Sequence, residues 1–216
     1  MQRVLQPLSA VLLCLLGGMA QAAGPSSTGL AADGTPLSPG AVDAHYTVTG
    51  GDLTDAPTYV AQNPAGYPGY WPKNDDLSGW ITPALTGNGD AAGQPDFIFT
   101  YTTRFDLTGY DASTARIDGQ LAVDDSLRAV LLNGQDIGFT ANGYSSFKSF
   151  AITGGFAAGV NTLSFVTRND NGGPTGLRVE LASTLVPVPE PAAALLMAGG
   201  CGVLLLRRRL AAHSTA

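Results

Sequence analysis

The foldable interior of this 216-residue chain has no cysteine. Cys14 and Cys201 lie near the two ends, each in an apolar stretch. A disulfide framework is therefore excluded, and the interior must rest on a hydrophobic core. Cys201 reads as a small apolar residue at membrane depth rather than a lipidation site. Histidine is nearly as scarce, with His45 the single one between residues 23 and 187. Catalytic zinc usually draws on several His or Cys ligands, and no Gly-x-Ser-x-Gly elbow accompanies a Ser–His–Asp set. His45 falls in the alternating run Ala44-His45-Tyr46-Thr47-Val48 and reads as a surface or core-edge residue. Positive charge is also thin. Residues 23–187 carry seven Lys and Arg against sixteen Asp and Glu, a net charge near −9. Nucleic acid and anionic lipid would both select the opposite sign.

What the chain does have at its ends is an address. Arg3 precedes the apolar run Val4–Leu16, and Ala20-Gln21-Ala22 offers small residues for cleavage before Ala23. Residues 1–22 read as a secretory signal peptide, to be removed by signal peptidase. The run is too short and too interrupted by Pro7, Gly17 and Gly18 for a first transmembrane helix. The other end runs Val186-Pro187-Val188-Pro189-Glu190-Pro191, then apolar from Ala192 to Leu206, then Arg207-Arg208-Arg209. The prolines forbid helix until Ala192. A full span needs about 20 apolar residues, so this single hydrophobic helix is marginal and leans on snorkelling arginines. The arginines would stay cytoplasmic. An ordinary tail anchor is the plainer reading, but it has no need of Pro-Glu-Pro.

Between the ends the pattern is β. Phe97, Phe99, Tyr101, Thr103, Phe105 and Leu107 alternate with mostly polar residues, a period of two. Ile117, Leu121 and Val123 repeat it, as do Leu163 and Phe165, and Leu177, Val179 and Leu181. Asn133-Gly134 predicts a type I′ hairpin. Phe147–Ile152 forms a further strand. Short strands without intervening helices predict an all-β chain, an antiparallel β-sandwich over residues 41–186. Residues 23–40, rich in Gly, Pro, Ser and Thr, predict a flexible leader, and 57–93 a long loop region. Residues 187–216 form the tail.

The order Pro189-Glu190-Pro191, apolar span and Arg207, Arg208, Arg209 closely resembles the PEP-CTERM sorting signal. That resemblance implies removal of the tail by exosortase, a membrane peptidase, and sorting to the envelope exterior of a bacterium that makes exopolysaccharide. A second resemblance runs through Ser78-Gly79-Trp80-Ile81, Tyr101 to Leu107, Val123-Asp124-Asp125, Leu132-Asn133-Gly134, Asn161 to Phe165 and Pro174 to Val179. The series is similar to jelly-roll domains of the galactose-binding-like fold, and implies a sugar- or calcium-associated sandwich. Its ligand residues do not transfer one by one.

Few residues suggest chemistry. Asp75-Asp76 and Asp124-Asp125 are adjacent carboxylates, which a strand points to opposite faces, and 124–125 reads as a polar turn. Gly87–Gly93 has neither the Lys nor the helix of a phosphate loop. Asn169-Asp170-Asn171-Gly172-Gly173 is oxygen-rich, but Pro174 stands where a calcium-binding EF-hand loop demands glycine. A looser structural calcium site using Asp170 and Glu180 stays open; no other cofactor is expected. Tyr59, Tyr67, Tyr70, Trp71 and Trp80 cluster in a loop-rich region. Tyr70 and Trp71, flanking Pro72, are the candidate glycan-stacking rings; the competing reading makes Trp71 a structural plug.

The expectation is thus an exported, non-enzymatic envelope or matrix protein. It is held transiently in the membrane, released to the cell surface by exosortase, and associated with exopolysaccharide. The alternative is a carbohydrate-binding module with a defined glycan. A glycoside-acting enzyme would need a pair of carboxylates that the sequence does not show.

Overall fold

The computed structural model describes residues 24–62, 71–87, 96–170 and 172–188. The signal peptide, Tyr70 and the sorting residues Pro189, Glu190, Pro191 and Arg207 to Arg209 lie outside them. Among the described residues there is no helix, and hence none long and apolar enough to cross a membrane.

Among the described residues eleven strands make the fold: β1 (Val42–Gly50), β2 (Leu53–Val60), β3 (Ile81–Thr82), β4 (Asp96–Asp106), β5 (Arg116–Asp124), β6 (Ser126–Leu132), β7 (Gln135–Asp136), β8 (Ala141–Asn142), β9 (Lys148–Ile152), β10 (Val160–Asp170) and β11 (Gly176–Thr184). Every pairing is antiparallel. The hydrogen-bonded order is β7-β6-β10-β4-β1-β2-β3-β11-β5-β9, with β8 on β6. The path folds over on itself, so that one half (β6-β10-β4-β1) faces the other (β11-β5-β9). One hydrophobic cluster takes side chains from both halves, among them Val48, Tyr101, Phe165 and Val130 with Ile117, Leu121 and Val179. Phe150 of β9 meets Phe165 of β10 edge-to-face across the core, with centroids 6.2 Å apart. The chain is an all-β antiparallel sandwich.

The alternation in β4 sets its inward face. Phe99, Tyr101, Thr103 and Phe105 are buried, while Arg104 and Asp106 face solvent. Asn133 and Gly134 both take positive φ (51° and 79°), the type I′ hairpin that closes β6 onto β7.

Two expectations need correction. Residues 24–40 are packed on the sandwich rather than forming a flexible leader. Thr28 is fully buried; its N–H donates to Val179 O (3.0 Å), and its hydroxyl donates to Gly79 O (2.7 Å). Gly79 N–H returns a bond to Thr28 O at 2.7 Å. Gly29 sits at φ 74°, and any Cβ there would lie 2.7 Å from Gly79 Cα, so this crossing requires glycine. Long-range backbone pairing thus overrides a flexible composition. The second correction concerns 57–93. Its start belongs to β2, and Ile81–Thr82 is β3. Pro57 hides β2 from pattern reading, yet it lies where only β1 flanks the strand, a place that tolerates proline.

Candidate functional site

The outer face of β11-β5-β9 divides into a covered part and an open part. The segment from Trp71 to Trp80 covers one end. Trp71 and Trp80 stack with centroids 4.1 Å apart and planes 24° from parallel. Trp71 Nε1–H donates to Asp124 Oδ2 (2.9 Å), and Trp80 Nε1–H donates to Pro72 O (2.9 Å). Gly176 makes room, since a Cβ there would come within 2.9 Å of the Trp71 ring. Trp71 is 4% exposed and Trp80 fully buried. The ring of Trp71 is therefore committed to packing in this structure, and neither face is open to a sugar.

Arg178 pins this cover from beneath. It projects outward from β11 yet is only 1% exposed. Its Nε donates to Ser78 Oγ (2.6 Å) and its Nη1 to the carbonyls of Pro72 and Lys73. Nη2 pairs with Asp75 (2.8 Å) and Glu180 (3.4 Å), and the guanidinium lies 5.0 Å from the Phe147 centroid. Buried guanidinium is tolerated only with this degree of pairing.

Beyond the cover the face opens into a cleft of about 420 Å³. Antiparallel register builds it. Glu180 of β11 pairs with Gln120 of β5, which pairs with Ser149 of β9; one step along, Ala182 pairs with Asp118. Alternation points these side chains outward together. Ser27 and the exposed Leu77 complete the rim, and the row Leu181–Gly119–Phe150, whose side chains turn into the core, closes the floor. Glu180 Oε2 accepts from Gln120 Nε2 (2.5 Å), and its Oε1 accepts from Ser78 Oγ (3.1 Å). Arg116 grips Asp118 through Nε (2.7 Å) and Nη2 (2.5 Å). That grip holds the Asp118 carboxyl below its usual range, keeping it an ionised acceptor rather than a proton donor. The cleft thus presents fixed carboxylate oxygens, an amide and a hydroxyl beside apolar surface. This set suits a neutral polyhydroxylated ligand.

Asp124 is the most perturbed carboxyl with a value in the physiological range. Burial, then a hydrogen bond shared with Asp125, push it up to about 7, opposed in part by the Trp71 N–H. A raised carboxyl in a cleft would suggest an acid catalyst. Here Asp124 is 4% exposed beneath Trp71 and is not among the cleft residues. Its consequence is for stability. The folded state holds this proton more tightly than the unfolded state, whose carboxyl has a value near 3.8. The stability that this carboxyl contributes is therefore full below about pH 4 and is lost as pH rises to about 7. Buried Asp43, also raised by desolvation, acts in the same direction. Thermal melts from pH 4 to 8 should show this decline, and Asp124→Asn, which keeps an acceptor for Trp71, should flatten it. A wild-type profile that rises over this range would contradict the assignment.

The calcium candidates are not brought together. Asp170 ends β10, bonded to Arg168 Nε (2.8 Å), and its N–H donates to Asp125 Oδ2 (2.7 Å). Glu180 lies in the other half of the sandwich among Gln120, Ser78 and Arg178. Among the described residues no group of three or more His, Cys, Asp or Glu could hold a metal. Pattern reading named Glu180 for metal binding and passed over Gln120, Asp118 and Ser149. These are ordinary outward polar positions, and only strand register makes them neighbours.

No known family matches the chain, and no characterised protein matches it in sequence. Among solved structures it is similar to TmCBM61 in complex with β-1,4-galactotriose, at 11% identity and TM-score 0.41, covering 66% of this chain and 89% of that one. It is also similar to the family 11 carbohydrate-binding module of Clostridium thermocellum in complex with a β-1,3-1,4-mixed-linked tetrasaccharide. There the identity is 10% and the TM-score 0.36, with 69% and 92% covered. The PA14 sugar-binding domain from an RTX adhesin follows at 17% identity and TM-score 0.29, with 67% and 92% covered. None of these overlays transfers a residue to this chain.

Proposed function

We propose that the protein is a non-catalytic glycan-binding module that takes a neutral sugar chain in the cleft over β5, β9 and β11. One observation carries the reading: the row Glu180–Gln120–Ser149, with Asp118 beside it and the exposed Leu77 on the rim, lines a cleft of about 420 Å³. Sugar hydroxyls would donate to the carboxylates and the Gln120 amide oxygen, and a sugar's C–H face would rest on the Leu77 side chain. The Gln120–Glu180 and Arg116–Asp118 bonds preorganise the acceptors, which lowers the ordering cost of binding.

The sequence context gives the module its setting. Towards the tail, the described residues end with a bridge of Tyr110 to Pro187 and the Val188 N–H donating to Gly109 O (2.9 Å). Pro189-Glu190-Pro191 follows at once in the sequence, so the sorting signal read there would begin directly after these contacts. In this proposal exosortase cuts there, and the released module holds exopolysaccharide outside the cell.

A glycan array followed by calorimetric titration tests the binding. Gln120→Ala is expected to weaken the best ligand by about 1–2 kcal/mol, five- to thirty-fold, with the melting temperature nearly unchanged. Unaltered affinity would remove the cleft from consideration.

A further inference from the structure

We propose that the opposite face of the sandwich carries a second, acid-selective glycan site, in which Arg104 receives a uronate carboxylate above a row of hydroxyl side chains. The proposal goes beyond the neutral-sugar cleft and does not depend on it. The site lies over β1 and β4, where a cleft of about 360 Å³ is lined by Ala44, His45, Thr47, Asp55, Thr102 and Arg104.

Arg104 is the chemical reason. Among the described residues three other arginines are in ion pairs, Arg116 with Asp118, Arg168 with Asp170, and Arg178 with Asp75 and Glu180, while exposed Arg128 on β6 makes none. Arg104 is exposed and makes no ion pair with any described residue, although the interior carries more than twice as many acidic as basic side chains. An unpaired guanidinium on an acidic domain is a local exception to the field around it. Its planar fork matches a carboxylate bidentately. A polyanion is otherwise repelled; of Arg104 and Arg128, the two arginines without an ion pair to a described residue, Arg104 is the one that lines this cleft among hydroxyl side chains.

The neighbouring side chains favour a sugar acid over an acidic peptide. Thr47 pairs with Thr102, and Thr102 with Ser164, a row of hydroxyls about 10 Å long across three strands. Thr102 and Ser164 hydroxyls are themselves 2.9 Å apart. Hydroxyls both donate and accept, which suits ring and linkage oxygens. Asp55, which also lines the cleft, is anchored at φ 46° by its N–H to Thr49 Oγ1 (3.1 Å) and offers an acceptor to sugar hydroxyls. His45 Nδ1 is engaged with Leu30 O at 3.1 Å, which orients the ring at the edge.

Full-length protein would be titrated with oligogalacturonate, with the same oligomer fully methyl-esterified, and with polyglutamate. Oligogalacturonate should bind, weakening as salt rises. The ester and polyglutamate should bind at least about tenfold more weakly. Arg104→Gln should abolish the preference for acid over ester, and Thr102→Val should weaken the acid while leaving circular dichroism unchanged. Gln120→Ala, on the other face, should leave oligogalacturonate binding intact, which separates failure of this site from failure of the neutral-sugar cleft. Absence of oligogalacturonate binding, equal binding of the ester, equal binding of polyglutamate, or an Arg104→Gln protein with unaltered affinity would each overturn the proposal.

Discussion

Trp71→Ala should lower stability by roughly 3–5 kcal/mol, the range for emptying a large aromatic site that cannot collapse. For a domain of this size the melting temperature should fall by about 10 °C or more. Three losses combine. Trp80 loses a ring stacked at 4.1 Å, Asp124 loses its N–H donor, and Gly176 faces a void. Glycan binding in the cleft should weaken only in proportion to unfolding. The opposite pattern, a melting point within about 2 °C of wild type and a specific loss of sugar affinity, would return Trp71 to the role of a stacking platform.

Arg178→Met should cost about as much, roughly 3–5 kcal/mol, because one change strands several partners. The carbonyls of Pro72 and Lys73, the Ser78 hydroxyl and the Asp75 and Glu180 carboxylates each lose a donor. Glu180 would be left partly buried without its cation, so sugar affinity should drop alongside stability. Lysine should not rescue the variant, since a single ammonium cannot reach carbonyls and carboxylates on separate sides. Urea denaturation reads the cost; a value under about 1 kcal/mol would mean that the Trp71–Trp80 cover holds itself without Arg178.

Both residues show why the sequence disclosed the sandwich better than its surface. β4 was legible because its burial alternates at period two, and the β6–β7 hairpin because Asn133-Gly134 takes the backbone angles that a type I′ turn requires. These signals are local. β2 was not legible, since Pro57 breaks its pattern and its stability comes from pairing with β1. The 24–40 segment looked like a linker because composition reports flexibility in isolation, while its hydrogen bonds reach Gly79 and Val179. Trp71 could be named from sequence as ring or plug, but its partner Asp124 is 53 residues away. Arg178 reads as the polar alternate of a strand, with nothing to say that residues 72–78 fold over it. The cleft follows the same logic. Asp118, Gln120, Ser149 and Glu180 each have an unremarkable local pattern, and the pairing of Glu180 with Gln120 and of Gln120 with Ser149 is what assembles them.

The most direct test of glycan binding in that cleft is chemical-shift mapping of isotope-labelled protein titrated with the best neutral oligosaccharide from the glycan array. Perturbations should concentrate at Asp118 to Gln120, Ser149, Phe150 and Glu180 to Ala182, and should be diminished in Gln120→Ala. Perturbations confined to residues outside that cleft, or none at saturating sugar, would contradict it.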